Sequence, residues 1–383
     1  MKQNALVTCA KGIPPLLARE ISALGIRVLR EEPAAVEIEA SFAEATRLCL
    51  HLRTAHRVLW PLTRARVTGP NGLFGAVIRF PWEKHLDPGG YLRVHGFVRT
   101  PAIRDERFAF LTVKDAVMDR MRDRCGRRPD SGPDDRGANL YLHWIDDEAR
   151  LYFDLAGQPL SRRGYRQQGG IAPMQEALAA AILLAGGYTG DTPLVNPMCG
   201  SGTLAIEAAL IARHQAPGLL RDNFGFLHLL GTDARAWQKE VFAAKTAIRP
   251  AAEIPPILAS DHDPQTLRLA RANAERAGVA DLIRFETADY RETPLPEGPA
   301  WVVLNPEYGV RMGEEAHLEA HYQDIGRWFK GLHTGGKGLI ITGNLPLSKR
   351  FGLKLSGKHT LYNGALECRL LAFDLFPSSC GTR

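Results

Sequence analysis

The sequence predicts an α/β protein in two parts: a basic α+β region, then an open, mostly parallel sheet with helices on both faces. Three observations predict it. Between residues 194 and 342 the apolar runs LVN, PILAS, WVVLN and GLIIT are short and do not alternate, as strands buried on both faces read. The first of these runs ends in a glycine turn that leads straight into a helical pattern. The polar, glycine-rich stretch SRRGYRQQGG at 161–170 separates this half from a preceding region of different charge.

At about 150 residues per domain, 383 residues suggest two or three domains. In the N-terminal part a strand at 5–8, an amphipathic helix over 14–24, a strand at 36–38 and a helix over 42–51 make a small α+β unit assigned to 1–56. Residues 57–160 form a second unit, with strands near 58–62, 91–97 and 151–154 and a helix over 112–122. The run RRPDSGPDDR is an exposed turn inside it. The stretch 161–170 is assigned as linker and 171–383 as the parallel α/β domain, which opens on an Ala-rich helix. Residues 216–253 break its rhythm and read as an insertion carrying Phe224, Phe226 and Trp237.

Composition excludes several classes. A hydrophobic fraction of 45% and a charged fraction of 23% are those of ordinary globular proteins. The longest apolar stretch, 177–185, is far shorter than the roughly 18 residues of a membrane span. The first twenty residues lack the unbroken apolar block of a secretory signal, so a cytoplasmic location is expected. Six cysteines without a C-x-x-C pair argue against zinc and against a disulfide framework. The net charge of +6 is unevenly placed: residues 1–165 hold 26 Lys+Arg against 20 Asp+Glu, and the remainder is balanced. Of those 26 cations 22 are arginine, whose planar fork suits phosphate oxygens, so the N-terminal part is the expected nucleic-acid contact.

The chemistry concentrates at strand ends. In Asn196-Pro197-Met198-Cys199-Gly200-Ser201-Gly202, the glycines let the backbone approach a ligand where open α/β sheets bind small molecules. No lysine follows Gly202, so a triphosphate cradle is excluded. Asp261, at the tip of the second strand, is placed to accept both ribose hydroxyls of an adenosine. Asp263 is the N-cap of the helix beginning at Pro264. Asp289 follows the third strand and is placed to accept from an adenine amino group or to sit in a solvated turn. After the fourth strand comes Asn305-Pro306-Glu307-Tyr308-Gly309. An exocyclic amine is a poor nucleophile because its lone pair is delocalised into the ring, so acceptors must hold its N–H bonds. The Asn305 side chain and the Pro306 carbonyl suit that role, with Tyr308 stacking on the base.

NPMCGSGTL and NPEYGVR, together with RRGYR…GIAPMQEALAAAIL, SDHDPQTLRLARANAERAGV and YNGALECRL, resemble the class I S-adenosylmethionine-dependent RNA methyltransferases with an N-terminal THUMP domain. The resemblance is strongest to the bacterial 23S rRNA guanine-N2 group, and covers the last 220 residues or so closely and the first 160 loosely. It implies a Rossmann-like seven-stranded methyltransferase domain preceded by a ferredoxin-like segment and a THUMP domain. It implies S-adenosylmethionine as cofactor, with its methionine part near Asn196, Pro197, Gly200 and Gly202, its ribose on Asp261 and its adenine by Asp289. The target guanine falls to Asn305, Pro306 and Tyr308, and the partner is structured RNA, rRNA or tRNA. Two positions depart from the family pattern: Asn196 stands where it has an acidic residue, and Glu307 where it has a second proline.

His317 and His321 are one helical turn apart but lack the H-E-x-x-H order, so no metal site is expected. Cys199 has no paired histidine and reads as packing. Three functions follow for testing: an RNA guanine-N2 methyltransferase, an RNA-binding protein of the same fold that no longer turns over, and a nicotinamide-dependent oxidoreductase, which NPEYG disfavours.

Overall fold

A computed structural model describes residues 1–166, 174–307, 315–332 and 334–376. The chain forms two compact units, one of residues 1–9, 17–160 and 221–243, the other of 10–16, 161–220 and 244–383.

In the first unit strands show the two-residue alternation of a sheet with one buried face; β7 below, ANLYLHWI, buries every second side chain along most of its length. Its strands are β1 (Gln3–Thr8), β2 (Arg27–Glu32), β3 (Ala35–Ala40), β4 (Arg57–Arg66), β5 (Tyr91–Arg99), β6 (Asp130–Ser131), β7 (Ala138–Ile145) and β8 (Glu148–Asp154). They form one eight-stranded sheet in the order β2-β3-β1-β4-β8-β7-β5-β6. The helices of this part of the chain are α1 (Pro14–Ala23), α2 (Phe42–His51), α3 (Pro70–Val77) and α4 (Glu106–Cys125). Ser41 and Glu44 close a capping box on α2, and Gly126 ends α4 in the left-handed conformation. Strands β2, β6 and β7 and helix α3 go beyond the elements the sequence predicted; β6 is a two-residue strand inside the run read as a turn, and β2 is charged and mostly exposed, so it carries little apolar signal.

The second unit is built on α5 (Glu176–Gly186), β9 (Leu194–Pro197), α6 (Thr203–Ala212), β10 (Ile257–Asp261), α8 (Pro264–Arg276), β11 (Ile283–Thr287), β12 (Trp301–Leu304), α9 (Glu315–Lys330), β13 (Lys337–Thr342), β14 (Gly357–Asn363) and β15 (Leu366–Asp374), with α7 (Ala234–Thr246) between α6 and β10. Strands β9, β10 and β12 are buried at every position, because helices cover both faces. The seven-stranded order is β11-β10-β9-β12-β13-β15-β14, parallel except for β15, which runs antiparallel to both neighbours. Sequence and structure agree on this fold class. Behind the end of β12, Tyr322, Ile325 and Phe329 of α9 pack with Val302, Leu304, Ile340 and Phe351 in one apolar cluster.

Two segments differ from a sequence-level reading. Residues 161–166 do not behave as an exposed connector: Arg163 and Tyr165 are 1% and 2% exposed. They meet the buried Glu207 of α6, with Tyr165 Oη donating at 3.2 Å and Arg163 Nη2 at 3.5 Å. Residues 167–170 lie outside the described residues. Within 216–253, the stretch 221–243 belongs to the first unit. There Phe224, Phe226 and Trp237 form an aromatic cluster, Arg221 donates to the carbonyls of Ala156, Gln158 and Pro159, and Glu240 of α7 meets Arg47 and His51 of α2.

Candidate active site at the carboxyl ends of the central strands

Register brings the sequence motifs together. Pairing of Trp301 with Leu194, Ser260 with Pro197 and Asp261 with Thr287 puts the ends of β12, β9, β10 and β11 at one level. Strands about 4.8 Å apart then place Asn305 roughly 10 Å from Asp261, across the glycine loop that follows β9. The site sits where strand order reverses, with β9 between β10 and β12, as expected of an open α/β sheet.

The loop after β9 is shaped by its backbone. Met198, Gly200 and Gly202 have φ of 55°, 55° and 80°, in the region where side chains other than glycine are strained. The two glycines serve different ends. A Cβ on Gly202 would stand 3.0 Å from the Cβ of Ala270, so this glycine lets α6 begin against α8. A Cβ on Gly200 would meet nothing within 4 Å, so that glycine faces open space in which a ligand can reach the backbone. The loop is tied from three sides: Cys199 N donates to Ser260 O at 2.9 Å, Asn273 Nδ2 to Ser201 O at 3.0 Å, and Gly200 N to Asp261 Oδ2 at 3.0 Å.

Asp261 is 8% exposed and also accepts from Asp263 N at 3.1 Å. Two backbone donors hold this carboxylate in one orientation and leave lone pairs for ligand hydroxyls. Asp263 caps α8, accepting from Gln265 N, Thr266 N and Thr266 Oγ1, which hold its carboxyl below the usual range. Asp289 accepts from Arg291 N, Nε and Nη2 at 3.0, 2.9 and 3.3 Å, and this arginine lowers its pKa. An adenine amino group meeting Asp289 would therefore share the carboxylate with Arg291.

Asn196 is fully buried, donating through Nδ2 to Val303 O at 2.8 Å, so its amide bridges β9 to β12. Its Oδ1 is buried without a donor among the described residues, as is Asn305 Oδ1 at the end of β12. Buried Pro306 follows, and Glu307 is exposed. Tyr322 Oη, itself 2.7 Å from Thr342 Oγ1, donates to the carbonyl of Glu307 at 3.3 Å and so fixes the start of this loop. Tyr308 lies outside the described residues. Burial and Asp261 push the Cys199 thiol up, which fits a packed, unreactive cysteine. His317 and His321 gather no further ligands, and no group of three metal-binding side chains occurs among the described residues.

Sequence reasoning assigned no role to a polar cluster beside the start of α6. Arg166 donates to Thr203 Oγ1 and to Met174 O, both at 2.7 Å, and Thr203 Oγ1 lies 3.2 Å from Ser201 Oγ. Glu176, 6% exposed, has its pKa raised by burial. The signal lay in RRGYR, which the family resemblance included without giving each residue a task.

Comparison with known proteins decides the family. The family described as RMKL-like, methyltransferase domain, matches residues 163–372, more than half of the chain. The chain belongs to this methyltransferase family. An RlmL ferredoxin-like domain matches residues 4–59. The ribosomal RNA large subunit methyltransferase K/L of Methylococcus capsulatus is 39% identical over 98% of this chain and 52% of its own length. The chain thus spans about half the length of the curated relatives it matches. Among solved structures, SMU.472 in complex with SAH superposes with a TM-score of 0.87 at 26% identity over 99% of each chain. A Listeria monocytogenes protein described as an N6-adenine-specific DNA methylase gives 0.86 at 27% identity, over 97% of this chain and 96% of its own. No helix among the described residues is long and apolar enough to cross a membrane.

Proposed function

We propose that this chain transfers a methyl group from S-adenosylmethionine to the exocyclic N2 amine of a guanosine in structured RNA, 23S rRNA in the first instance. The observation that carries the reading is Asn305 Oδ1, a buried acceptor with no donor among the described residues, at the end of β12 and level with an open glycine loop. Leaving such an acceptor unpaired costs about 1–3 kcal/mol, a cost that an amine N–H entering the site would remove. The cofactor fits the same row: the space over Gly200 admits a ligand against the backbone, and the Asp261 carboxylate is preoriented for a ribose. The methionine end falls to Asn196 and Pro197, the adenine to the neighbourhood of Asp289.

When bound, the cofactor supplies an electrophilic methyl carried on sulfur. The chain's own residues do the rest. Asn305 Oδ1 and the Pro306 carbonyl accept from the two N–H bonds of the target amine, which draws its lone pair out of conjugation and turns it toward the donor. Tyr322 steadies the loop through the Glu307 carbonyl, and Tyr308 supplies a stacking face for the base. Residues 1–160, which hold the excess of arginine, form a ferredoxin-like segment over 1–56 and a THUMP-like domain over 57–160 and contribute most of the RNA affinity. The methyltransferase domain takes residues 171–383 apart from the stretch 221–243, which belongs to the first unit, and the enzyme works in the cytoplasm.

The K/L names of the relatives favour rRNA, and the Listeria description names DNA; both substrates present an exocyclic amine. The test is methyl incorporation by the purified chain into rRNA, tRNA and DNA from a strain lacking the gene, followed by mass spectrometry of the nucleosides. N2-methylguanosine in 23S rRNA is expected. The same nucleoside only in tRNA would move the substrate, N6-methyladenine in DNA would replace the reaction, and cofactor binding without any product would favour an RNA-binding protein that no longer turns over.

A further inference from the structure

The first unit's sheet has two unlike faces. Helix α4 packs against β5 and α3 against β4, and the side chains on one face are buried: Leu140, Leu142, Trp144, Leu151 and Phe153. Strand alternation sends the intervening residues to the other face. There, register aligns Phe97 of β5 with His143 of β7, Arg150 of β8 and Arg64 of β4 in one row across four strands. The next row runs Arg99, Ile145, Glu148 and Arg66. Strands about 4.8 Å apart make each row roughly 14 Å long.

This end of the face is open. Phe97 is 44% exposed although it is a large apolar side chain, and its ring stacks on His143 with centroids 6.0 Å apart and an interplanar angle of 26°. The Arg64 side chain is 68% exposed, and Arg66 and Arg99 are exposed. Glu148 pairs with Arg64 at 2.6 Å and with Arg150, while Arg66 and Arg99 make no ion pair among the described residues, and Asp146 and Asp147 stand nearby at the β7–β8 turn. An exposed ring beside guanidinium groups is a poor protein core and a good nucleotide platform: the ring stacks a base and the cations meet the flanking phosphates.

We propose that the β5-β7-β8-β4 face is where the first unit holds an unpaired stretch of its RNA, with one base on Phe97 and His143 and the flanking phosphates on Arg66, Arg99 and Arg64. This rests on the reading of the chain as an RNA enzyme and names the surface that serves it. An exposed stacking ring suits contact without strict sequence choice, with selectivity left to the target site.

Binding of the whole chain to a fluorescent hairpin RNA with a single-stranded tail, across a salt series, tests the assignment. Arg66→Ala with Arg99→Ala should weaken binding about ten-fold and flatten the log–log salt slope by about 1.5, near 0.7–0.9 per lost phosphate contact. Phe97→Ala should weaken binding roughly 5- to 100-fold and leave the slope unchanged, because stacking releases no counterions. All three side chains are exposed, so thermal melting should match the parent, and calorimetry should show unchanged cofactor affinity. Arg122→Ala with Arg124→Ala on α4 removes the same charge elsewhere and should change binding little. Equal losses from that control pair, or unchanged affinity and slope in the β-face variants, would overturn the face while leaving the RNA function standing. A parent chain without salt-dependent RNA binding would overturn both. A concentration-dependent dimer that Phe97→Ala abolishes would assign the face to a second copy instead.

Discussion

Two strand ends in the second unit, about 10 Å apart, are prepared in opposite ways. At the end of β10 the Asp261 carboxylate is already engaged by Gly200 N and Asp263 N. At the end of β12 the Asn305 carbonyl is buried with no donor among the described residues. The first arrangement is that of a scaffold, in which bonds present before any ligand arrives fix loop and carboxylate together. On the proposed reading the second holds an acceptor ready for an incoming N–H, whose hydrogen bond would offset the cost of leaving it unpaired. On that reading the satisfied carboxylate serves binding and the orphaned Asn305 oxygen serves chemistry, while Asn196 Oδ1, also buried without a donor among the described residues, lies beside the cofactor.

The largest effect should come from breaking the unsatisfied end. Asn305→Ala removes the acceptor and should lower single-turnover methyl transfer by about 10² to 10³, as loss of one preorganised polar partner in a transition state does. Cofactor affinity should stay within two-fold or so, and stability should hold or rise, since a buried orphan disappears. Unimpaired transfer in rapid-quench measurements would remove Asn305 from the reaction.

Asp261→Ala should act on the other term. It deletes a charge-assisted acceptor and unties Gly200, so calorimetry should show affinity for the cofactor weakened by roughly 1.5–3 kcal/mol. Transfer at saturating cofactor should fall much less than in Asn305→Ala. If the two variants have the same signature, the division between scaffold and acceptor is wrong.

The smallest effect concerns Glu176, a third kind of buried oxygen. Burial raises its folded pKa above the ordinary 4.5. Between those two values the native state binds more protons than the unfolded state, so stability falls as pH rises through that window. Glu176→Gln should remove this contribution: the urea midpoint of the variant should decline less than the parent's from pH 4.5 upward. A parallel decline in both proteins would show that Glu176 is stabilised as a carboxylate by Arg166 after all.

What the sequence determined by itself is local or periodic. Four continuous apolar runs marked the buried strands, the glycine turn marked the loop after β9, and Asp263 before Pro264 marked a helix start, because pattern and capping act over a few residues. Helix α2 was bounded from its own residues, and the arginine excess of the first half was visible by counting. Which bonds those residues make was decided only by the tertiary fold. Arg291 on Asp289, Asn196 bridging to Val303, and Arg163 and Tyr165 turned inward to Glu207 pair residues whose partners are chosen by strand register and helix packing. The row of Phe97, His143, Arg150 and Arg64 is the plainest case: four residues scattered over 87 positions become neighbours because hydrogen-bond register, which no single strand encodes, lines them up on one face.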